Sequence, residues 1–281
     1  MKQIWVIASL TFREAVRRRI ALASGILGLG FVLIYSIGFH FIVADFVKMQ
    51  EANPNSSLYL QQLLNFMHLA AMYATNFLTI ATAALITADS LAGEISSGTI
   101  QTLLAKPIRR YQIVAGKWLG NAGLIAAYST LLAGGCSLSI YLQSGYSAPH
   151  LLIGLLIIYL NSLLIMSVTL GLSSRISSLA SGGVIFGMYG LAFIGGWVER
   201  FGYITNNQTA INVGILSSLL MPSEAMWNMA SQNMTSTLMN SFGASPFSYG
   251  ATPSVWMVLY TVVYLLAFIA YAVRVFSRRD L

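Results

Sequence analysis

The chain has 281 residues, 57% of them hydrophobic and 8% charged, and its mean hydropathy is +0.73. A soluble domain carries about 25% charged residues, so an ordinary water-soluble enzyme is excluded, and so are disordered and fibrous chains. Fifteen Lys and Arg against eight Asp and Glu give a net charge of +7, and unbroken apolar runs of about twenty residues point to an all-α membrane protein, not to the short alternating strands of a barrel.

The chain opens on a basic, amphipathic stretch over residues 2–19. Ile4, Ala8, Phe12 and Val16 recur at i+4 with Trp5 beside them, while Arg13 and Arg17 line another face. That spacing predicts a helix lying in the membrane interface. The apolar run that follows it spans 25 residues, too long for the core of a signal peptide.

Six stretches lack Asp, Glu, Lys and Arg: 20–44, 63–88, 118–142, 150–172, 176–197 and 255–273. Each is long enough to cross a hydrocarbon core about 30 Å thick. Thirteen of the fifteen basic residues then fall on one side, Arg17–Arg19, Lys106, Arg109, Arg110, Lys117 and Arg278–Arg279 among them, and only Lys48 and Arg200 on the other. This asymmetry predicts that both termini are cytoplasmic. It also explains the basic balance as topology facing an anionic inner leaflet, with no nucleic-acid partner.

The spans lack what ion-coupled carriers and intramembrane hydrolases need, a carboxylate or base at membrane depth. Asn76 and Asn161 read as interhelical hydrogen bonds. The single cysteine, Cys136, has no partner for an internal disulfide. Gly116-Lys117 lacks the hydroxyl residue of a P-loop, since Trp118 follows it, and Leu179–Gly183 begins a span. The energy source is therefore expected outside this chain.

The loop 89–117 is the most informative segment. Ile95, Ile100, Leu103 and Leu104 supply an apolar edge to a short helix opened by the Gly98-Thr99 turn and ended by Pro107. Lys106, Arg109 and Arg110 follow beside the membrane. Between spans five and six, segment 198–254 contains Pro222-Ser223-Glu224, which reads as a helix start with a Ser cap and an acid in the first turn. Met226, Ala230, Met234 and Leu238 then repeat at i+4. The expected helix lies on or dips into the outer leaflet.

The order Glu94, Gly98-Thr99, Leu103-Leu104, Lys106-Pro107, Arg110 and Gly116-Lys117, placed between spans two and three, resembles the ABC-2 family of ABC-transporter permeases. The resemblance implies a single transmembrane domain over 1–281 with six helices, an N-terminal interfacial helix, a cytoplasmic coupling helix within 89–117 and outer helices within 198–254. It implies that the coupling helix fits a groove on a separate ABC ATPase subunit, which binds ATP and Mg, while this chain binds no cofactor and holds no catalytic or metal site. Glu94 is expected to pair with Arg109, Arg110 or the ATPase, or to be a solvated cap.

The family works as a pair of permeases, identical or related. Gly183-x-x-x-Gly187 offers a close-packing face for a second chain or for packing within this one. The implied function is that of the permease subunit of an ATP-driven transporter in a prokaryotic cell membrane. Export is favoured over uptake, and the absence of fixed charge in the spans favours an apolar or amphiphilic cargo. The alternative is a mechanical transmitter or scaffold acting on a partner outside the cell. One branch of the family serves multicopper-enzyme maturation. His40, His68 and His150, with Met221, Met226, Met229, Met234 and Met239, would then be candidate copper ligands.

Overall fold

In the computed structural model the described residues are 2–52, 57–104, 108–235 and 253–279, of which 47–52, 57 and 102–104 are described by their backbone alone. Ten helices are found among them, and no strand. In chain order they are α1 (Lys2–Arg17), α2 (Arg19–Ala52), α3 (Ser57–Ser96), α4 (Thr99–Leu104), α5 (Arg110–Ser144), α6 (Leu151–Ser173), α7 (Ser178–Thr205), α8 (Gln208–Leu220), α9 (Ser223–Asn233) and α10 (Val255–Ser277). Six of them, α2, α3, α5, α6, α7 and α10, are long and apolar enough to cross a membrane.

The spanning helices run past the charge-free windows. α3 covers 40 residues, about 60 Å at the α-helical rise, so Asp89 and Glu94 belong to the end of a spanning helix and not to a loop. No breaker interrupts the chain until Gly98, which adopts φ +72° and lets it turn into α4 at little steric cost. The expected helix over 2–19 is broken once. α1 stops at Arg17, and α2 starts at Arg19.

α3 and α6 form the centre of the bundle. Leu69, Met72 and Ile80 of α3 and Leu164, Ile165 and Val168 of α6 are almost wholly enclosed. Between helices in lipid, close packing and internal hydrogen bonding replace the hydrophobic drive. The buried hydroxyls of Thr79 and Thr169 accordingly donate to the carbonyls of Thr75 and Ile165, each at 2.7 Å. α2 and α10 sit at the periphery and expose Ile26, Leu27, Ile34, Trp256 and Leu266.

α1 lies along the start of α5. An added Cβ at Gly116 would meet Ile7 Cβ at 2.6 Å, and one at Gly120 would meet the Ala8 carbonyl at 2.6 Å. The face of α1 buried there is Ile7, Ala8, Thr11 and Ala15. Of the expected apolar stripe Ile4, Ala8, Phe12 and Val16, only Ala8 belongs to this buried face. The small residues seat the helix, and the bulky Trp5, Phe12 and Val16 are left exposed, as an interfacial helix requires.

The far end of the bundle, opposite Arg110 and Arg279, is built differently. α7 continues past Trp197 to Thr205, turns at Asn206 (φ 52°) and doubles back as α8. Asn207 caps α8, its side-chain oxygen accepting from the backbone N–H of Thr209 at 3.1 Å and of Ala210 at 3.2 Å. α8 runs antiparallel along α7, with Gly202 against Ile211, Gly214 against Glu199 and Gly195 against Ser217. α9 then returns along α6, where Met234 fills the space over Gly154. α8 and α9 thus form a re-entrant hairpin inserted into the bundle. Ser223–Asn228 and Ala230–Ser231 of α9 are buried against the other helices. Pro222 stands at the N-cap and makes no side-chain cap bond, so Ser223 opens the helix and does not cap it.

Candidate coupling site

At the basic end, the last two turns of α3 meet α1, α5 and α7. Lys117, two turns into α5, forms a salt bridge with Glu94, and its side chain and that of Glu94 are 3% and 9% exposed. The ammonium also donates to the Ser90 carbonyl at 2.9 Å. Contrary to the expected pairing with Arg109 or Arg110, the partner of Glu94 within the chain is Lys117. Arg110 and Lys117 share a face of α5, but about 10 Å of helix separates them, and Glu94 lies at the deeper level.

Arg110 instead takes the end of α10. Its guanidinium donates to the carbonyls of Phe276 at 3.1 Å and Arg279 at 2.6 Å, a cation on the negative pole of a helix. Arg109 precedes α5, where its backbone N–H donates to the Gln112 side chain at 3.0 Å.

A second charged group surrounds the α1–α2 elbow. Arg18 donates through one nitrogen to Glu14 Oε1 and through another to Asp89 Oδ2, each at 2.6 Å. The remaining Asp89 oxygen accepts from the Ser178 hydroxyl at the start of α7, at 3.1 Å. Asp89 bends back over Gly93, where a Cβ would strike its carboxylate. These groups line an open cleft of about 530 Å3 between α1, the end of α3, the Gly98 turn and α5.

Of the residues singled out in the sequence, Glu94, Thr99 and Lys117 line this cleft, Gly98 lies in the turn between its Ser97 and Thr99, and Gly116 serves as the seat of α1. Arg110 lies at the same end but binds α10. The side chains of Leu103 and Leu104, and Lys106 and Pro107 entirely, lie outside the described residues. Gly183 and Gly187 face open space, with nothing within 4 Å of an added Cβ, so they pack against none of the described residues. Close approach of the backbone occurs instead at Gly195, Gly196, Gly202 and Gly214.

Sequence reasoning missed Asp89, Arg18 and Ser178 as partners, and it missed the charges of the hairpin. Arg200 in α7 donates to Glu224 Oε2 at 2.9 Å and to Asn228 Oδ1 at 3.0 Å, with both charged side chains at 3% exposure or less. The guanidinium sits 5.2 Å from the Trp197 ring centroid, a cation–π contact. Asn161, midway along α6, donates to Asn76 Oδ1 and to the Ser223 carbonyl, both at 3.1 Å. The window 176–197 is free of acid and base, and α7 runs on past it through Glu199 and Arg200 to Thr205. The charge-free window ended at Trp197, but a helix carries charges onward when they are paired.

The three histidines do not converge in one way. His40 and His150 are exposed, whereas His68 is enclosed beside Tyr146, ring centroids 6.1 Å apart. Met221, Met226 and Met234 are wholly buried among apolar neighbours, and Met239 lies outside the described residues. Among the described residues, no group of three His, Cys, Asp or Glu side chains forms a metal-holding cluster.

Comparison with known proteins agrees with this architecture. The sequence model of the family described as ABC-2 family transporter protein matches residues 5–281. The probable ABC transporter permease protein NosY of Stutzerimonas stutzeri is 31% identical over 146 residues, which cover 49% of this chain and 45% of that protein. The match thus spans less than half the length of this relative. With six spanning helices and a family match over nearly its whole length, the chain belongs to the ABC-2 family of transporter proteins, the membrane component of ABC transporters.

Proposed function

We propose that this chain is the permease subunit of an ATP-driven exporter, and that a separate ATPase subunit, holding ATP and Mg, engages the segment around α4. The observation that supports it most is mechanical. α4 is a six-residue helix hung from α3 by the Gly98 turn, and the end of α3 is fastened to α5 through Glu94 and Lys117. A helix so short is not stable alone in water; Ile100 anchors it on this chain's own Ile7, Leu91 and Ile113, and Thr99 and Gln101 remain exposed beside it. A push on α4 is delivered to two spanning helices at once.

In this reading the basic end faces the cytoplasm, following the bias of Lys and Arg, and the re-entrant hairpin faces outward. Two permease chains meet across α7, whose Gly182, Gly183, Gly187 and Gly190 stand open. Arg200 pairs with Glu224, Glu199 beside it is a further buried carboxylate, and the charge-free windows along the middle of the six spans hold no Asp, Glu, Lys or Arg. This supports an apolar or amphiphilic cargo moved across the membrane of a prokaryotic cell.

The test is purification from the native membrane in mild detergent with assay of Mg-ATP hydrolysis in the eluate. A stoichiometric ATPase is expected, and it should be lost on replacing Leu103 and Leu104 by Asp while the permease is retained. Recovery of the parent chain alone and inert would sink the reading. The transmitter alternative parts from it in sealed vesicles, where ATP would be consumed without movement of any amphiphile tested.

A further inference from the structure

Asp89 stands where three helices depend on one carboxylate. Asp89 and Glu94 are five residues apart on α3, so their side chains leave it about 140° apart. Glu94 faces α5 and binds Lys117, while Asp89 faces the α1–α2 elbow and α7. One Asp89 oxygen takes Arg18 and the other takes Ser178, the first residue of α7. Gly93 supplies the room for that carboxylate to bend back.

We propose that Asp89 is the positioning residue through which displacement of α4 reaches α7, the helix with the open glycine face, and the α1–α2 elbow. The inference deepens the permease reading and rests on it. α4 hangs from α3 one turn beyond Glu94, and nothing flexible lies between Gly98 and Asp89, because that stretch ends in helix at Ser96. Rotation or translation of the α3 end therefore moves the Asp89 carboxylate with it. The link to α7 is a hydroxyl bond at the helix N-terminus, where a carboxylate also meets the positive pole of the helix. The link to the elbow is a charge-assisted bond, the stronger kind. Lys117–Glu94 sets the pivot, and Asp89 is the arm that reaches sideways.

Leu179 supplies the reporter, since it is 89% exposed and adjoins Ser178. In a Cys136→Ser, Leu179→Cys background of the co-purified permease–ATPase complex, the rate of reaction with a water-soluble maleimide is compared without nucleotide and with ATP plus vanadate. The parent should show a nucleotide-dependent change of about fivefold, the size of a typical coupling between sites. Asp89→Ala should flatten it while the ATPase stays bound in the same pull-down, and Asp89→Glu should restore most of it. A purely structural role would lower yield and melting temperature without this selective loss and rescue. Should Asp89→Ala fail to fold, Ser178→Ala removes one hydroxyl and must still reduce the change. An undiminished nucleotide response in Asp89→Ala, or in Ser178→Ala if that variant alone folds, overturns the inference while leaving the permease reading intact. A parent chain that brings down no ATPase overturns both.

Discussion

The two buried ion pairs found among the described residues are alike in chemistry and opposite in setting. Lys117–Glu94 borders a cleft of about 530 Å3 and is surrounded by further polar groups, the Ser90 carbonyl and the Arg18, Asp89 and Glu14 cluster among them. Arg200–Glu224 is enclosed by Trp197, Tyr73, Tyr189 and the α8–α9 hairpin, while the second oxygen of each glutamate, Glu94 Oε2 and Glu224 Oε1, has no hydrogen-bond partner among the described residues. A buried pair stabilises little relative to a well-packed apolar pair, yet removing one partner strands a charge in low dielectric. The first pair can be rescued by water from the cleft and the second cannot. The difference marks the first as a joint that can work and the second as a clasp.

The largest effect should therefore come from the clasp. Glu224→Ala or Arg200→Ala is expected to cost about 3–5 kcal/mol, read as a lowered melting temperature of the purified protein in detergent. The double replacement Arg200→Met with Glu224→Leu should recover most of that loss, because both charges then leave together. A single variant as stable as the parent would mean that water reaches the pair. At the joint, Glu94→Ala should cost about 2 kcal/mol, below the range for a fully enclosed pair. It should reduce ATPase co-purification more than the lost stability alone explains. Equal losses at the two ends would erase the distinction.

The fold was legible in the sequence because bilayer crossing is a matter of length and apolar content, which single residues report. Six charge-free windows gave six helices, and the Gly98-Thr99 turn and the acid at Glu224 lie where the pattern placed them. The helix ends were not legible, since a window without charge stops at the first charge and a helix does not. That rule cut α3 before Asp89 and α7 before Glu199 and Arg200. The pairings were hidden for a related reason. Whether Lys117 or Arg110 meets Glu94 depends on relative depth in two antiparallel helices, which neither helix encodes by itself. The glycine content of α7 was visible, but which glycines pack inside the chain was decided by the return of α8.

The glycines provide the next test of the same contrast. Gly116→Ala and Gly120→Ala press on α1 and should each cost about 1–3 kcal/mol by overpacking. Gly183→Ala or Gly187→Ala meets open space in one chain and should stabilise an isolated protomer by a few tenths up to about 1 kcal/mol through helix propensity. Gly183→Leu separates the two settings more sharply. If α7 faces a second permease chain, that variant should run as a monomer in size-exclusion chromatography with its helix content intact. An unchanged oligomer would move the interface elsewhere.

The smallest effect is expected where a charge touches only backbone. Arg110 serves the carbonyls of Phe276 and Arg279 at the end of α10, and α10 is peripheral and mostly exposed to the bilayer. Arg110→Ala should cost about 0.3–1 kcal/mol, the worth of a cation at a helix C-terminus, and Arg110→Lys should retain part of it because the charge persists while the fork of donors is lost. Hydrogen exchange should rise at the last turn of α10 and leave α3 unaffected, since neither Glu94 nor Asp89 contacts Arg110. A loss of ATPase association larger than that of Glu94→Ala would reverse this ranking. It would return Arg110 to the surface that meets the ATPase, and its bond to α10 would then be the contact exchanged on docking.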